Sequence, residues 1–509
     1  MDNFGIATVI PFAAALFFLI WKEDAMLPLI GGLVLGGIML SRFNPLLGLY
    51  SAAGELIFES LLSVRNIFIF SLTIEVLILF SLLNRYGHIR VFMDRIGKWL
   101  HSIDRLEITI FLSSLFIFID RHLSSLLAGI FTKPLAERRG LSPLKHAYLL
   151  NTVSSSVSTL IPITVLTPVI LTALGTSFKA QGIEFSALRA LYLSLPYQFY
   201  SIFSLFTAIS LLIFKRDVLF MKQLILQEEN AGTVLSFGLS VHTRIQPDNR
   251  VAFYGVTATL AVLFGTITAG VLVNSRDAML PSMQPHQSYG IVFVNALFIA
   301  IVFFLLYLFL SKTLRYADWK TFTGNVYGKL ALTLIYIILA FAIEMLARRL
   351  MLGTSLAGGL LQSRLSVRLI PMIIFVLSCI VSLLSGSSPF TISVILPIAL
   401  KVMSANLSDP LLIDKQVYAT IAAVLSGATF GDMNSPFSIN YIISTAAVSA
   451  GIKNRFISQI GYSLVAFSAT ILFGYLLFAI NAKPYVSISA GFLGIALLLM
   501  FLTGRIKNQ

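Results

Sequence analysis

An all-α polytopic membrane protein, built from two inverted repeats that each carry a re-entrant hairpin and an unwound transmembrane helix, is the fold class the sequence predicts. Three observations predict it. The chain has 509 residues, of which 57% are hydrophobic and only 11% charged, whereas a soluble domain has roughly a quarter of its residues charged. Apolar runs recur at the length of about 20 residues that a helix needs to cross hydrocarbon. Between them, stretches rich in Gly, Pro, Ser and Thr interrupt other apolar runs at matching places in the two halves, a mark of repeat-built transporters.

In chain order, residues 1–64 are expected to form amino-terminal helices. The opening MDNFGIATVIPF has no basic segment and no small-residue cleavage site, so the run Ile6–Ile20 reads as a retained helix rather than a signal peptide. Repeat 1 covers 65–214: a leading span near Ile67–Leu83, a hairpin over about 106–132, a broken helix over 146–175 and a full span at Leu191–Phe214. The hairpin comes from two apolar halves of about 13 residues, each too short to cross alone, which meet at Asp120 and Arg121. Basic residues flank it on both sides, Arg85 to Arg105 before and Lys133 to Lys145 after, as expected when the chain returns to a positively charged cytoplasmic side.

A cytoplasmic loop at 215–250 and linking helices at 251–329 lead into repeat 2, residues 330–480. There the order recurs: a leading span near Leu330–Leu346, a hairpin over about 369–401, a broken helix over 417–450 and a span at Phe456–Ile480. Residues 481–509 supply a last helix. Alternate threading gives about eleven crossings and brings the two hairpins in from opposite faces. Arg348, Arg349, Arg364 and Arg368 oppose this threading, because they fall on the outer side.

Composition also excludes. The formal charge of +14 lies in short clusters between apolar runs, where it reports orientation in a bilayer and not a nucleic-acid partner. Cys379 is the sole cysteine and the histidines are scattered, so no disulfide framework, thiolate site or paired metal motif is expected. With no nucleophile elbow either, the chain is expected to be a transporter and not an enzyme, without a cofactor.

Helix breaks at membrane depth are tolerated only where protein or a wet cavity satisfies the freed amides and carbonyls. Four fall at matching positions: the Asp120 tip, Asn151–Pro162, Ser385–Thr391 and Ser426–Ile442. Half-helix N-termini attract anions and C-terminal carbonyls attract cations. Hydroxyl and amide oxygens joined to one carboxylate suit sodium. The expected ion or substrate site therefore comprises Asp120, Arg121, Asn151, Ser154, Ser155, Ser385, Ser387, Ser388, Thr429, Asp432, Asn434, Ser435, Ser438 and Asn440, with Asp432 the Na⁺ ligand. Asp120 and Arg121 have a structural alternative, mutual neutralisation. Glu75 and Glu344, inside the leading spans, are candidates for a proton relay. For a single break, helix packing through Ser and Thr is the bland explanation; matched placement of four favours a site.

SGATFGDMNSPFSINYIIST, LLSGSSPFTISVILPIAL and FIDRHLSSLLAGIFTKPLAERRGLSPLKHAYLLNTVSSSVSTLIPI resemble the NhaC-type Na⁺/H⁺ antiporters of the ion transporter superfamily. The resemblance runs from about Ile67 to Ile480, and Gly431 to Pro436 is its most specific block. It implies a two-repeat fold with hairpins and unwound helices meeting centrally, ion-coupled transport with Na⁺ and/or H⁺, and a homodimer. The chain is a divergent member. Arg121 stands where the family usually has a second acid, Asn151 and Ile439 where it tends to have aspartates, and Pro389 with Phe390 where a Trp is common. Losing negative charge weakens a cation site.

The expected function is an ion-coupled secondary transporter, Na⁺/H⁺ antiporter-like, alternating access around a midplane site. An alternative is Na⁺- or H⁺-coupled carriage of a small organic anion or amino acid, its carboxylate received by Arg121. A non-transporting scaffold or channel is the alternative of another class. Compact loops and the absent leader suggest a bacterial inner membrane.

Overall fold

The computed structural model describes residues 4–21, 26–98, 102–214, 216–218, 234–237, 249–277, 285–311, 327–362, 366–407 and 414–505. The described residues form helices joined by short turns and extended stretches, with a short antiparallel pairing of 216–218 with 503–505 and a single bridge between Val234 and Gly451. Among the described residues seven helices are long and apolar enough to cross a membrane, or eight if the pair 187–197 and 199–214, bent by 47°, is one span. Most of the loops 215–250 and 312–329 lies outside the described residues, as does Arg364.

Both hairpins form. The first joins Ile103–Phe116 to Arg121–Arg139, and the second joins Ile370–Ser385 to Ser388–Asn406. The return arms are longer than sequence predicts, 19 residues each. Apolarity fades at Lys133, yet the helix continues through the polar KPLAERR to Gly140, whose φ of +69° closes it in the left-handed conformation.

Both broken helices form too, with boundaries set by proline. Pro143–Leu160 stops at Ile161, and Lys415–Asn434 stops at Ser435; each stop residue is extended and precedes a proline. Proline disfavours the helical region for the residue before it and lacks the N–H to continue. The chain resumes as Thr167–Ala180 and Ile439–Val448. Sequence placed the first interruption at Asn151–Pro162; in the structure Asn151–Leu160 is intact helix and the break falls after it, at 161–166. The Ser and Thr hydroxyls there bond back onto the preceding turn, Ser158 to the Ser155 carbonyl and Thr159 to that of Ser156, so they leave the ladder whole.

Packing is reciprocal. The first return arm lies against Ile439–Val448 and the second against Thr167–Ala180, so each hairpin runs beside the broken helix of the other half. Lys415–Asn434 seats closely on Ile370–Ser385: a Cβ at Gly431 would come within 2.3 Å of Ser382 and one at Gly427 within 2.5 Å of Ser378. This is a small-xxx-small contact that lets membrane helices approach at backbone distance.

Two of the opposing arginines have local partners. Arg348 bonds Glu344 at 2.8 Å and Arg349 bonds Glu59 at 2.5 Å, which offsets charge that runs against the expected orientation.

Candidate functional site

At each hairpin tip an extended residue caps the return helix with its side chain. Asp120 accepts the Leu123 N–H at 2.8 Å, and Ser387 accepts the Phe390 N–H at 3.2 Å. Such caps satisfy N–H groups that a helix start leaves orphaned. The first residues of the two return helices then meet: Arg121 donates to the Ser388 hydroxyl, and both side chains are buried.

Asp432, in the last turn of Lys415–Asn434, lies at this junction and is 2% exposed. Its Oδ2 faces Arg121 Nη1 at 3.1 Å and accepts from Ser155 at 3.3 Å, while Oδ1 accepts from Ser438 at 3.0 Å. A buried carboxylate is costly unless paired and hydrogen-bonded, and here it is both. Beneath it Asn440 Nδ2 donates to Asn151, Ser154 and Ser155 at 2.9–3.1 Å. Asn151 in turn donates at 2.8 Å to the Met433 carbonyl, one of those freed by the break. Both hairpin tips and both broken helices thus contribute to one polar cluster.

The cluster opens on a cavity of about 340 Å³. Asp120, Arg121, Asp432, Ser387 and Ile439 form part of its wall. Phe68, Ile69 and Leu72 on the leading helix Val64–Arg85 and Phe293 on Pro285–Leu310 give it an apolar part. A second chamber of about 400 Å³ shares Ser63, Arg65, Val169, Glu344 and Pro389 with the first and continues to Arg348 and Thr176.

The mutual neutralisation of Asp120 and Arg121 is not what forms. Arg121 turns to Asp432, and Asp120 caps its helix with its second oxygen 3.5 Å from His122 Nδ1. Of the fourteen expected residues, Asp120, Arg121, Ser387 and Asp432 line the cavity. Asn151, Ser154, Ser155, Ser388, Ser438 and Asn440 stand behind it in the polar cluster. The other four bond elsewhere: Thr429 to Thr159, Asn434 to Tyr200, while Ser385 and Ser435 accept N–H groups of their own turns. Glu344 is held by Arg65 and Arg348, whereas Glu75 lies mid-helix with a buried oxygen that has no hydrogen-bond partner. The two acids therefore do not occupy equivalent places. Sequence reasoning missed Arg65, His122, Ser158 and Thr164, all on the cavity wall. The leading helix had a signal, since Arg65, Phe68, Ile69 and Leu72 share one helical face at i, i+3, i+4 and i+7.

Interrupted membrane helices gathered on a buried charge cluster define a multi-pass membrane transporter. A family model described as the Na⁺/H⁺ antiporter family matches residues 172–480, more than half of the chain. The chain belongs to that family, an antiporter class whose coupling ions are Na⁺ and H⁺. A Haemophilus influenzae protein described only as uncharacterized is 24% identical over 533 residues, covering 99% of this chain and 96% of the relative. Asp432 lies inside the family match; Asp120, Arg121 and Asn151 lie before it.

Proposed function

We propose that the chain is a divergent NhaC-type secondary antiporter of a bacterial inner membrane, alternating access around Asp432, which takes Na⁺ and H⁺ in turn. One observation carries this: Asp432 is where a guanidinium from the first hairpin and hydroxyls from both broken helices converge. Competition of two ions for one carboxylate couples their fluxes. The reciprocal packing of hairpins and broken helices supports two inverted repeats, 65–214 and 330–480, as the moving units.

A second reading, carriage of a small organic anion or amino acid, is favoured by the cavity itself. Its volume of about 340 Å³ is roughly tenfold a water's share of liquid, and Phe68, Ile69, Leu72 and Phe293 line it together with Arg121. Proteoliposomes with imposed Na⁺ and pH gradients separate the two. Sodium-dependent proton movement, lost in Asp432→Asn, is the expected result. Uptake of an organic solute without a sodium response selects the second reading, and no flux under any gradient contradicts transport.

A further inference from the structure

We propose that Arg121 is a tethered cation: its guanidinium occupies Asp432 in the empty carrier and must be displaced before a solution cation can bind, so Arg121 sets cation affinity. The inference rests on the reading of Asp432 as the exchanged carboxylate.

The geometry places the guanidinium against the Asp432 oxygen that also accepts from Ser155, and anchors it on Ser388 from the opposite half. Arg121 and Asp432 both line the cavity, so an ion within it meets the pair directly. Withdrawal of the guanidinium leaves Asp432 with the Ser155 and Ser438 hydroxyls, a carboxylate and neutral oxygens of the kind a hard cation takes. A second resting place stands next to it. Asp120 commits one oxygen to its cap, and the other has only His122 at 3.5 Å. The remaining charged groups on the cavity wall, Arg65 and Glu344, are engaged with one another. Arg121 thus passes from Asp432 to Asp120 as a cation arrives, so neither the released guanidinium nor Asp432 is left without a counter-charge. Because the competitor is covalently attached, dilution cannot remove it, and apparent cation affinity is lowered at all protein concentrations.

The test is the Na⁺ concentration giving half-maximal sodium-driven proton flux in proteoliposomes, for wild type, Arg121→Gln, Ser388→Ala and Asp432→Asn. Arg121→Gln is expected to lower it at least about tenfold, since an unpaired buried carboxylate gains most from a new counter-ion. Ser388→Ala, which only loosens the guanidinium, is expected to lower it about two- to threefold. A sodium response that appears in Arg121→Gln but not in wild type also supports the tethered cation. An unchanged or raised value in a folded Arg121→Gln overturns it, as does the absence of any sodium response in every protein. If Arg121→Gln does not insert, an unchanged or raised value in Ser388→Ala overturns it alone. Flux surviving in Asp432→Asn defeats instead the exchange reading beneath it.

Discussion

At the first hairpin tip the chain reads Asp120-Arg121-His122, and at the second Ser387-Ser388-Pro389, yet both tips have an extended cap followed by a helix of 19 residues. A serine is enough to cap the second helix. The charges at the first tip are therefore surplus to local folding, and Asp120, Arg121 and His122 all line the cavity that Asp432 borders. The broken helices show the same contrast. Both stop before a proline, but only the second carries an acid in its last turn. The comparison teaches that the backbone plan is shared between the halves while the central ion pair is divided, its cation, Arg121, in the first half and its carboxylate, Asp432, in the second.

The largest expected effect comes from removing the carboxylate. Asp432→Asn strands a buried guanidinium and should lose both flux and about 3–5 kcal/mol of stability, read by thermal unfolding in detergent. Replacing Gly386 is next. Its φ is +66° and a Cβ would lie 2.5 Å from the Phe437 backbone, whereas Gly140, at +69°, has nothing within 4 Å. Gly140→Ala should cost about 1–2 kcal/mol from conformation alone. Gly386→Ala should cost about 1–3 kcal/mol more, with reduced flux, because the second tip must part from the turn after Asp432. Equal losses at the two glycines would remove the tip-to-break contact from the account.

The caps sharpen the comparison further. Ser387→Ala should cost about 1 kcal/mol of stability, while Asp120→Asn, which still caps, should cost only a few tenths. If Asp120 also receives the displaced guanidinium, Asp120→Asn should nevertheless alter sodium dependence, and a cap alone would not. Smallest is Glu59→Gln, which removes a half-exposed partner of Arg349 and should change stability by less than about 1 kcal/mol.

Much of this plan was legible in sequence. Length and polarity placed the two helix pairs that flank the tips, and Asp120, Arg121 and Asp432 could be named because charge among apolar residues is conspicuous. The position of the first break was misjudged because a serine-rich run looks like an interruption. Asn151, Ser154, Ser155 and Ser158 in fact follow helical spacing, and the proline after them ends the helix. Which acid Arg121 would choose was not legible. Proximity in sequence favoured Asp120, while the fold supplied Asp432 from 311 residues away.

A double-mutant cycle on Arg121→Gln and Asp432→Asn, followed by thermal unfolding of the purified protein, tests the division of charge most directly. Coupling of at least about 1 kcal/mol, with the double variant more stable than Asp432→Asn alone, is expected for a buried pair that joins the two halves. Strictly additive losses would contradict it.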